Sequence, residues 1–291
     1  MFAGTYTALV TPFQNDQVDE AAFAQLIEAQ IAAGITGIVP VGTTGESPTL
    51  DHTEHLRVIE VAVKTANRRC KVIGGTGSNS TREAVEMTVE AEKLGCDAAL
   101  LVAPYYNKPS QEGLFRHYRA IAEATRLPLI LYSIPGRCGI EIAVETVARL
   151  AAECANIVSI KEAGGSVERV SALRAAVPPG FSILSGDDSL TLPFIAAGAA
   201  GVISVASNIV PAEVCELVSA ALANDAVKAR DTHFRLYSLF KNLFIEPNPV
   251  PIKHALALQG RMSAAVRLPL CEMSSGNAAR LEKTLRELSL I

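Results

Sequence analysis

The stretch 156-NIVSIKEAGG-165 sets the problem from which the fold follows. Residues 157–160 form a short apolar run of strand length, and the run ends in Lys161, Glu162, Ala163 and a glycine pair. In a strand, alternate side chains share a face. Val158 and Ile160 are therefore expected on one face, and Ser159 and Lys161 on the other. A strand-end lysine ordinarily snorkels to water or pairs with a neighbouring carboxylate, here Glu162. The alternative is an amine held in a pocket for chemistry, and the rest of the chain has to decide between them.

Working outward, runs of the same kind recur at 5–10, 37–41, 71–74, 98–102, 129–132, 157–161, 182–184 and 202–205. The segments between them carry the 3.6-residue period of amphipathic helices. In 19-DEAAFAQLIEAQIAAG-34 the stripe is Phe23, Leu26, Ile27, Gln30 and Ile31, with Gly34 as the cap that ends it. In 50-LDHTEHLRVIEVAVKTA-66, Asp51 is placed to cap the helix, and Glu54 completes a capping-box start. Eight strand–helix units predict a closed (β/α)8 TIM barrel, because alternating elements build parallel sheets through right-handed crossovers. An open doubly wound sheet is the other candidate, but no G-x-G-x-x-G follows the first strand. Beyond residue 224 the strand signal stops and helical segments separated by Pro and Gly follow. The chain is thus expected to divide into a catalytic barrel, 1–224, and a C-terminal helical appendage, 225–291, used in assembly.

Composition fits an α/β chain with a large core: of 291 residues, 49% are hydrophobic and 19% charged. A net charge of −4 gives no electrostatic footprint for nucleic acid. Cys70, Cys96, Cys138, Cys154, Cys215 and Cys271 are scattered without a Cys-x-x-Cys pair. With no signal-peptide pattern at the start of the sequence, a cytoplasmic location is expected. The uncharged stretch 189–212 is long enough to span a bilayer. Its Pro193, Gly198, Gly201 and Pro211 read instead as helix, turn, strand and loop, so no membrane is expected.

Barrel chemistry sits at the C-terminal strand ends. Those positions carry "VGTTGES", "PYYNKPSQEG", "YSIPGRCG", Lys161, "SGDDS" and "SVASN". Among the lysines, Lys64, Lys93, Lys228, Lys241, Lys253 and Lys283 fall on helices, Lys71 starts a strand and Lys108 lies in a loop. Only Lys161 ends a strand. Desolvation there lowers the pKa of an ammonium and releases a neutral amine, which attacks carbonyls to form a Schiff base. A metal-dependent aldolase would need ligands at strand ends. Yet His52, His55, His117, His233 and His254 all fall on expected helices. Asp187 and Asp188 would repel a phosphate after the seventh strand, which disfavours a phosphosugar enzyme. No metal and no cofactor are expected.

Three further groups converge on that end. The glycine-rich turn at 41–47 can present N–H groups and hydroxyls to a carboxylate, although a plain strand-to-helix turn has the same look. Tyr132 ends the strand next to that of Lys161 and can shuttle protons, or can simply be a buried tyrosine. Arg137 offers a bidentate fork, or is merely solvated.

Together "GTTGE", "PYYNKPSQEG", the Y-x-x-P-x-R of Tyr132 to Arg137, "SIKEA" and "SGDD" resemble the dihydrodipicolinate synthases. This family belongs to the Schiff-base lyase and aldolase superfamily that includes N-acetylneuraminate lyase. The resemblance implies condensation of pyruvate with L-aspartate 4-semialdehyde to 4-hydroxy-tetrahydrodipicolinate, the first committed step of lysine and diaminopimelate biosynthesis. It implies that Lys161 forms the imine and Tyr132 moves protons. Thr43 and Tyr106 would complete a relay, with Tyr106 reaching into a neighbouring subunit of a homotetramer, a dimer of dimers. Thr43 and Thr44 would cradle the pyruvate carboxylate and Arg137 would receive that of the semialdehyde. Gly186 and Ile203 would line the pocket with their backbone. Ser133, Gly136 and Cys138 depart from the family's usual Asn, Ser and Thr, but leave Tyr132 and Arg137 in register. A lyase acting on sialic or keto-deoxy sugar acids is the alternative, and Arg137 argues against it. A barrel that only binds a keto acid or a partner is disfavoured by the intact Lys161, Tyr132 and Thr43.

The resemblance also implies a regulatory site. His52, His55, Asn79, Glu83 and Tyr105 match residues that bind L-lysine, the pathway product, between paired subunits of feedback-regulated members. From spacing alone, His52 and His55 are polar first-turn residues of an exposed helix. Pro48 stands where a small residue is expected and reshapes the pocket wall.

Overall fold

Eight short parallel strands close into a barrel, each hydrogen-bonded to the next and the first to the last. The structure is a computed structural model and describes residues 2–291. The strands are β1 (Gly4–Ala8), β2 (Gly37–Val39), β3 (Lys71–Gly75), β4 (Ala98–Val102), β5 (Leu129–Ser133), β6 (Ile157–Glu162), β7 (Ser182–Ser185) and β8 (Gly201–Ser204). Each is followed by a helix: α1 (Glu20–Ala32), α2 (His52–Ala66), α3 (Thr81–Leu94), α4 (Gln111–Ala124), α5 (Val144–Glu153), α6 (Val167–Ala176), α7 (Thr191–Ala196) and α8 (Pro211–Leu222). The expected (β/α)8 barrel is therefore the fold, with strand ends displaced by only a residue or two. The sequence reading did not find the small antiparallel hairpin Phe13–Gln14 with Gln17–Val18, which precedes α1. Its strands are too short to show a period.

Local signals behave as their chemistry requires. Asp51 accepts the amide of Glu54 at 2.8 Å, and Glu54 returns a bond to the amide of Asp51, so α2 begins in a full capping box. Gly34 follows the end of α1 at φ +80°, a conformation that favours glycine. The uncharged stretch 189–212 is divided among α7, β8, a short turn and the start of α8. Among the described residues no helix is long and apolar enough to cross a membrane.

Alternation sorts the barrel's side chains into two clusters. Tyr6, Val39, Ile73, Leu100, Ile130, Tyr132, Leu184 and Ile203 fill the interior. Ile38, Val72, Leu101, Leu131, Ile160 and Ile183 face outward against the helices. In β6 the alternation breaks. Leu129 pairs with Ile157, but Ile130 pairs with Ser159, so Val158 is an extra residue. Val158 packs on the interior cluster while Ile160 lies in the outer one. The expected common face for Val158 and Ile160 is thus corrected: the irregularity rotates the strand between them. Ser159 and Lys161 still share a face, the inner one.

Asn224 turns the chain with φ 61°, and Asp225 caps α9 (Ala226–Asn242), followed by α10 (Val250–Leu258) and α11 (Ser275–Glu287). These helices join β8 and α8 in one apolar cluster that includes Val202, Val214, Leu217, Leu236, Leu239, Ile252 and Leu281. The segment between α9 and α10 is thereby held against the C-terminal mouth of the barrel.

Candidate active site

Lys161 is buried, and its Nζ lies 4.4 Å from the centre of the Tyr132 ring. The two residues are register partners on β6 and β5. Glu162 does not pair with the lysine. It points to the other side of β6, where it accepts from Arg169 Nε at 2.9 Å and the Gly164 amide at 2.7 Å. Burial lowers the Lys161 pKa from 10.5 to about 8, against the pull of the Asp188 carboxylate and with a smaller push from Arg137. Burial also raises the Tyr132 phenol to about 12, against the Arg137 charge and the Thr43 hydroxyl. The site therefore holds an amine that is readily neutral and a phenol that keeps its proton.

Asp188 is the charge that faces the lysine. It is buried, and accepts from the Ser204 hydroxyl and from the amides of Val205 at 3.0 Å and Ala206 at 2.9 Å. Burial raises its pKa to about 6, the three bonds opposing. Gly186, just upstream, donates to the Glu162 carbonyl at 2.8 Å. A Cβ there would lie 2.6 Å from that of Ala163 and 3.0 Å from Lys161 Cε, so only glycine lets β7 pass so close to the amine.

The turn after β2 is closed by its own backbone. The amides of Gly45, Glu46 and Ser47 are taken up inside it by the carbonyls of Gly42 and Thr43. Those of Thr43 and Thr44, at its start, remain as donors. Thr43, Thr44, Tyr132, Arg137, Lys161 and Gly186 all line one cavity, together with Phe244 and Asn248 from the C-terminal segment. Asn248 donates from Nδ2 to the Thr44 hydroxyl at 3.0 Å, and its carbonyl accepts from Arg137 Nη2 at 3.2 Å. Beneath the turn, Glu46 and Lys253 form a fully buried ion pair, with Lys253 also 4.2 Å above the ring of Phe13. Ile203 is fully buried in the barrel interior and does not line this cavity with its side chain. Tyr106 projects from the loop after β4 at φ 72° and is 89% exposed, away from the cavity within its own chain.

A second cleft, of about 720 Å3, shares Thr43 and Arg137 with the first and is lined by His52, His55, Glu83 and Tyr105. His52 Nε2 meets Glu83 Oε1 at 2.7 Å, and Ser78 also donates to Glu83. These two hydrogen bonds hold the Glu83 carboxyl below its usual range, the one from Ser78 the larger. His55 is half-buried and its Nε2 donates to the Gly75 carbonyl at 2.7 Å, while desolvation lowers its pKa. It is not the exposed first-turn residue that spacing suggests. Asn79 stands beside the cleft and donates to the Tyr105 carbonyl at 3.2 Å.

Sequence reasoning missed Asn248, Phe244, Asp188 and the Glu46–Lys253 pair. Asp188 was visible in "SGDDS", but only as a charge hostile to phosphate. Lys253 reads from the sequence as one helical lysine among several, and α10 buries it completely. For Asn248 the one local hint was a Pro-rich interruption, 247-PNPVP-251, between two helices.

The closed barrel and an amine desolvated beside a phenol at its strand ends define an enzyme of the lyase and aldolase kind. The chain belongs to the Dihydrodipicolinate synthetase family, whose model matches residues 1–288. It is similar to the 4-hydroxy-tetrahydrodipicolinate synthase of Geotalea daltonii, at 54% identity over the whole of both chains. The solved structure of the enzyme of that name from Methylacidiphilum fumariolicum SolV superposes with a TM-score of 0.98 at 54% identity, covering 99% of this chain and 96% of that one. A structure of dihydrodipicolinate synthase from Cyanidioschyzon merolae, crystallised with lysine bound, superposes with a TM-score of 0.97 at 41% identity, covering 100% and 99%.

Proposed function

We propose that the chain condenses pyruvate with L-aspartate 4-semialdehyde to give 4-hydroxy-tetrahydrodipicolinate, and that Lys161 carries the reaction. The observation behind this reading is a buried amine, poised near pH 8, that faces Tyr132 without a carboxylate hydrogen-bonded to it. The neutral Lys161 amine adds to the pyruvate ketone, and Tyr132 supplies the proton on which water leaves. The Thr43 and Thr44 amides hold the pyruvate carboxylate, and Thr43 links Tyr132 to the relay. Loss of a methyl proton from the imine gives an enamine, whose carbon attacks the semialdehyde carbonyl. Arg137 grips the carboxylate of that second substrate. The aldehyde oxygen takes up a proton as the hydroxyl, and the α-amino group of the semialdehyde, once it has given up its ammonium proton, attacks the imine carbon and displaces the Lys161 amine.

The same reading assigns Tyr106 to the site of a neighbouring subunit. Its near-complete exposure supports this, since a relay tyrosine useless in its own chain needs a partner. We therefore take the enzyme as a homotetramer, with the barrel 1–224 catalytic and the helices 225–291 closing its mouth. A cytoplasmic location suits six free cysteines. L-Lysine is taken as a partial inhibitor in the cleft of His52, His55, Asn79, Glu83 and Tyr105. Glu83 would meet its α-ammonium, and the shared Thr43 and Arg137 give a short route to the active cavity. A coupled assay with pyruvate and aspartate 4-semialdehyde, run beside sugar acids, tests the activity. Turnover of a sugar acid in its place would overturn the substrate assignment. Sedimentation at assay concentration tests the assembly.

A further inference from the structure

The turn after β2 is bracketed by two residues in the left-handed region, Val41 at φ 51° and Glu46 at φ 55°. For a β-branched residue such as valine this is a genuine outlier, and glutamate adopts it against its preference. Backbone strained in this way keeps its shape only where the surroundings fix it. Within the turn, the Gly45 amide reaches the Gly42 carbonyl at 3.0 Å and the Glu46 amide reaches that of Thr43 at 3.1 Å. The remaining hold comes from outside. Thr11 Oγ1 donates to the Gly45 carbonyl at 2.7 Å, and Asn248 donates to the Thr44 hydroxyl. Glu46 is held from two directions at once: one carboxylate oxygen accepts from Lys253 Nζ at 2.5 Å, the other from the Arg267 amide at 3.0 Å.

A buried ion pair is weak evidence for stability, because apolar residues of the same volume often serve as well. What the charges add is direction, since each carboxylate oxygen fixes one donor. The pair is sealed, with side-chain exposures of 0% for Lys253 and 1% for Glu46. Neither residue lines the Lys161 cavity, so neither touches a substrate. Neither sets the Lys161 pKa, which burial, Asp188 and Arg137 govern. Glu46 is bonded directly to Thr43, so a rotation at this corner re-aims the Thr43 and Thr44 amides together. We propose that Glu46 and Lys253 are positioning residues: their ion pair fixes the left-handed corner of the turn and thereby aims the Thr43 and Thr44 amides at the carboxylate of the keto acid on Lys161. The inference rests on the proposed reaction and adds to it two residues remote from the reacting atoms.

The test compares borohydride trapping of two ketones on Lys161: pyruvate, and hydroxyacetone, which keeps the methyl ketone and has no carboxylate. The double variant Glu46→Gln, Lys253→Met removes both charges together. In it the preference for pyruvate over hydroxyacetone should fall about 10- to 100-fold, the usual worth of hydrogen bonds to a charged group, with hydroxyacetone trapping changed less than about twofold. The pH midpoint of imine formation should not move. Lys253→Met alone leaves a buried carboxylate unpaired and should lose much of its resistance to urea. Adding Glu46→Gln should restore that resistance without restoring the preference. Glu46→Gln alone, the mildest change, should lose part of the preference, and it carries the test if the double variant does not fold. Equal loss for both ketones, a midpoint raised towards the ordinary 10.5, or a preference that follows urea resistance from variant to variant would mean general loosening and overturn the positioning role. An unchanged preference in folded variants would overturn it as well, leaving the pair a stabilising pin. Failure of pyruvate to label the unmodified enzyme would instead overturn the proposed reaction.

Discussion

Lys161 and Lys253 are both buried lysines lowered to about 8, and they differ in one contact: Lys253 Nζ donates to Glu46 at 2.5 Å, whereas Lys161 Nζ faces the Tyr132 ring. Desolvation is the leading cause in each. The carboxylate partner turns one ammonium into a structural pin, and its absence leaves the other available as a nucleophile.

Pyruvate and borohydride should therefore label Lys161 and leave Lys253 untouched, with the added mass on the peptide containing 159-SIKEA-163. Lys161→Arg should abolish labelling, because a guanidinium stays protonated. An adduct on any other lysine would sink the assignment.

Imine formation should rise with pH through about 8, as Lys161 loses its proton, and level off above. The Asp188 carboxylate opposes this loss, so Asp188→Asn should move the midpoint to lower pH while Arg137→Ala should move it slightly higher. A midpoint that ignores Asp188 in stopped-flow measurements would show that its charge does not reach the amine.

The same lowered pKa carries a stability cost with a definite sign. An unfolded lysine keeps its proton up to 10.5 and the folded one releases it near 8, so the cost is fully present below pH 8 and vanishes towards 10.5. Its size is on the order of 3 kcal/mol. Lys161→Met should be inactive yet more resistant to urea at pH 7, with the advantage shrinking by pH 10. A variant no more stable at pH 7 would contradict the desolvation account.

Tyr132→Phe keeps the ring and removes the proton. Turnover should fall about 10²–10⁴-fold, with the imine still trapped, more slowly. Because the phenol stays protonated up to about 12, the unmodified enzyme should show no alkaline limb from Tyr132 below pH 10. Near-normal turnover by the phenylalanine variant would remove it from the relay.

L-Lysine should inhibit partially and without competing with pyruvate. Glu83→Thr loses the carboxylate that His52 and Ser78 hold ready, and should relieve inhibition while leaving pyruvate turnover nearly intact. Calorimetry on both forms checks it: full activity of the unmodified enzyme in millimolar lysine, with no heat of binding, would show that the cleft does not take lysine.

The sequence by itself determined the barrel and singled out Lys161 as the candidate nucleophile. Periodicity is a local property, and eight alternating units with capped helices admit few closures. Lys161 stood out because position along a strand is also local. The face it takes was legible too, but the break at Val158 was not, since that irregularity follows from register with β5 rather than from β6 alone. Only the tertiary structure decided what surrounds the amine. Asp188, Gly186 and Tyr132 meet Lys161 across three strands, and Asn248 reaches Thr44 across more than two hundred residues of chain. His55 shows the same limit, being an exposed helix residue by spacing and a half-buried donor to Gly75 by packing. Burial and partners depend on contacts distant in sequence, so residue type and spacing can nominate a side chain but cannot say whether it keeps a free donor, acceptor or electron pair.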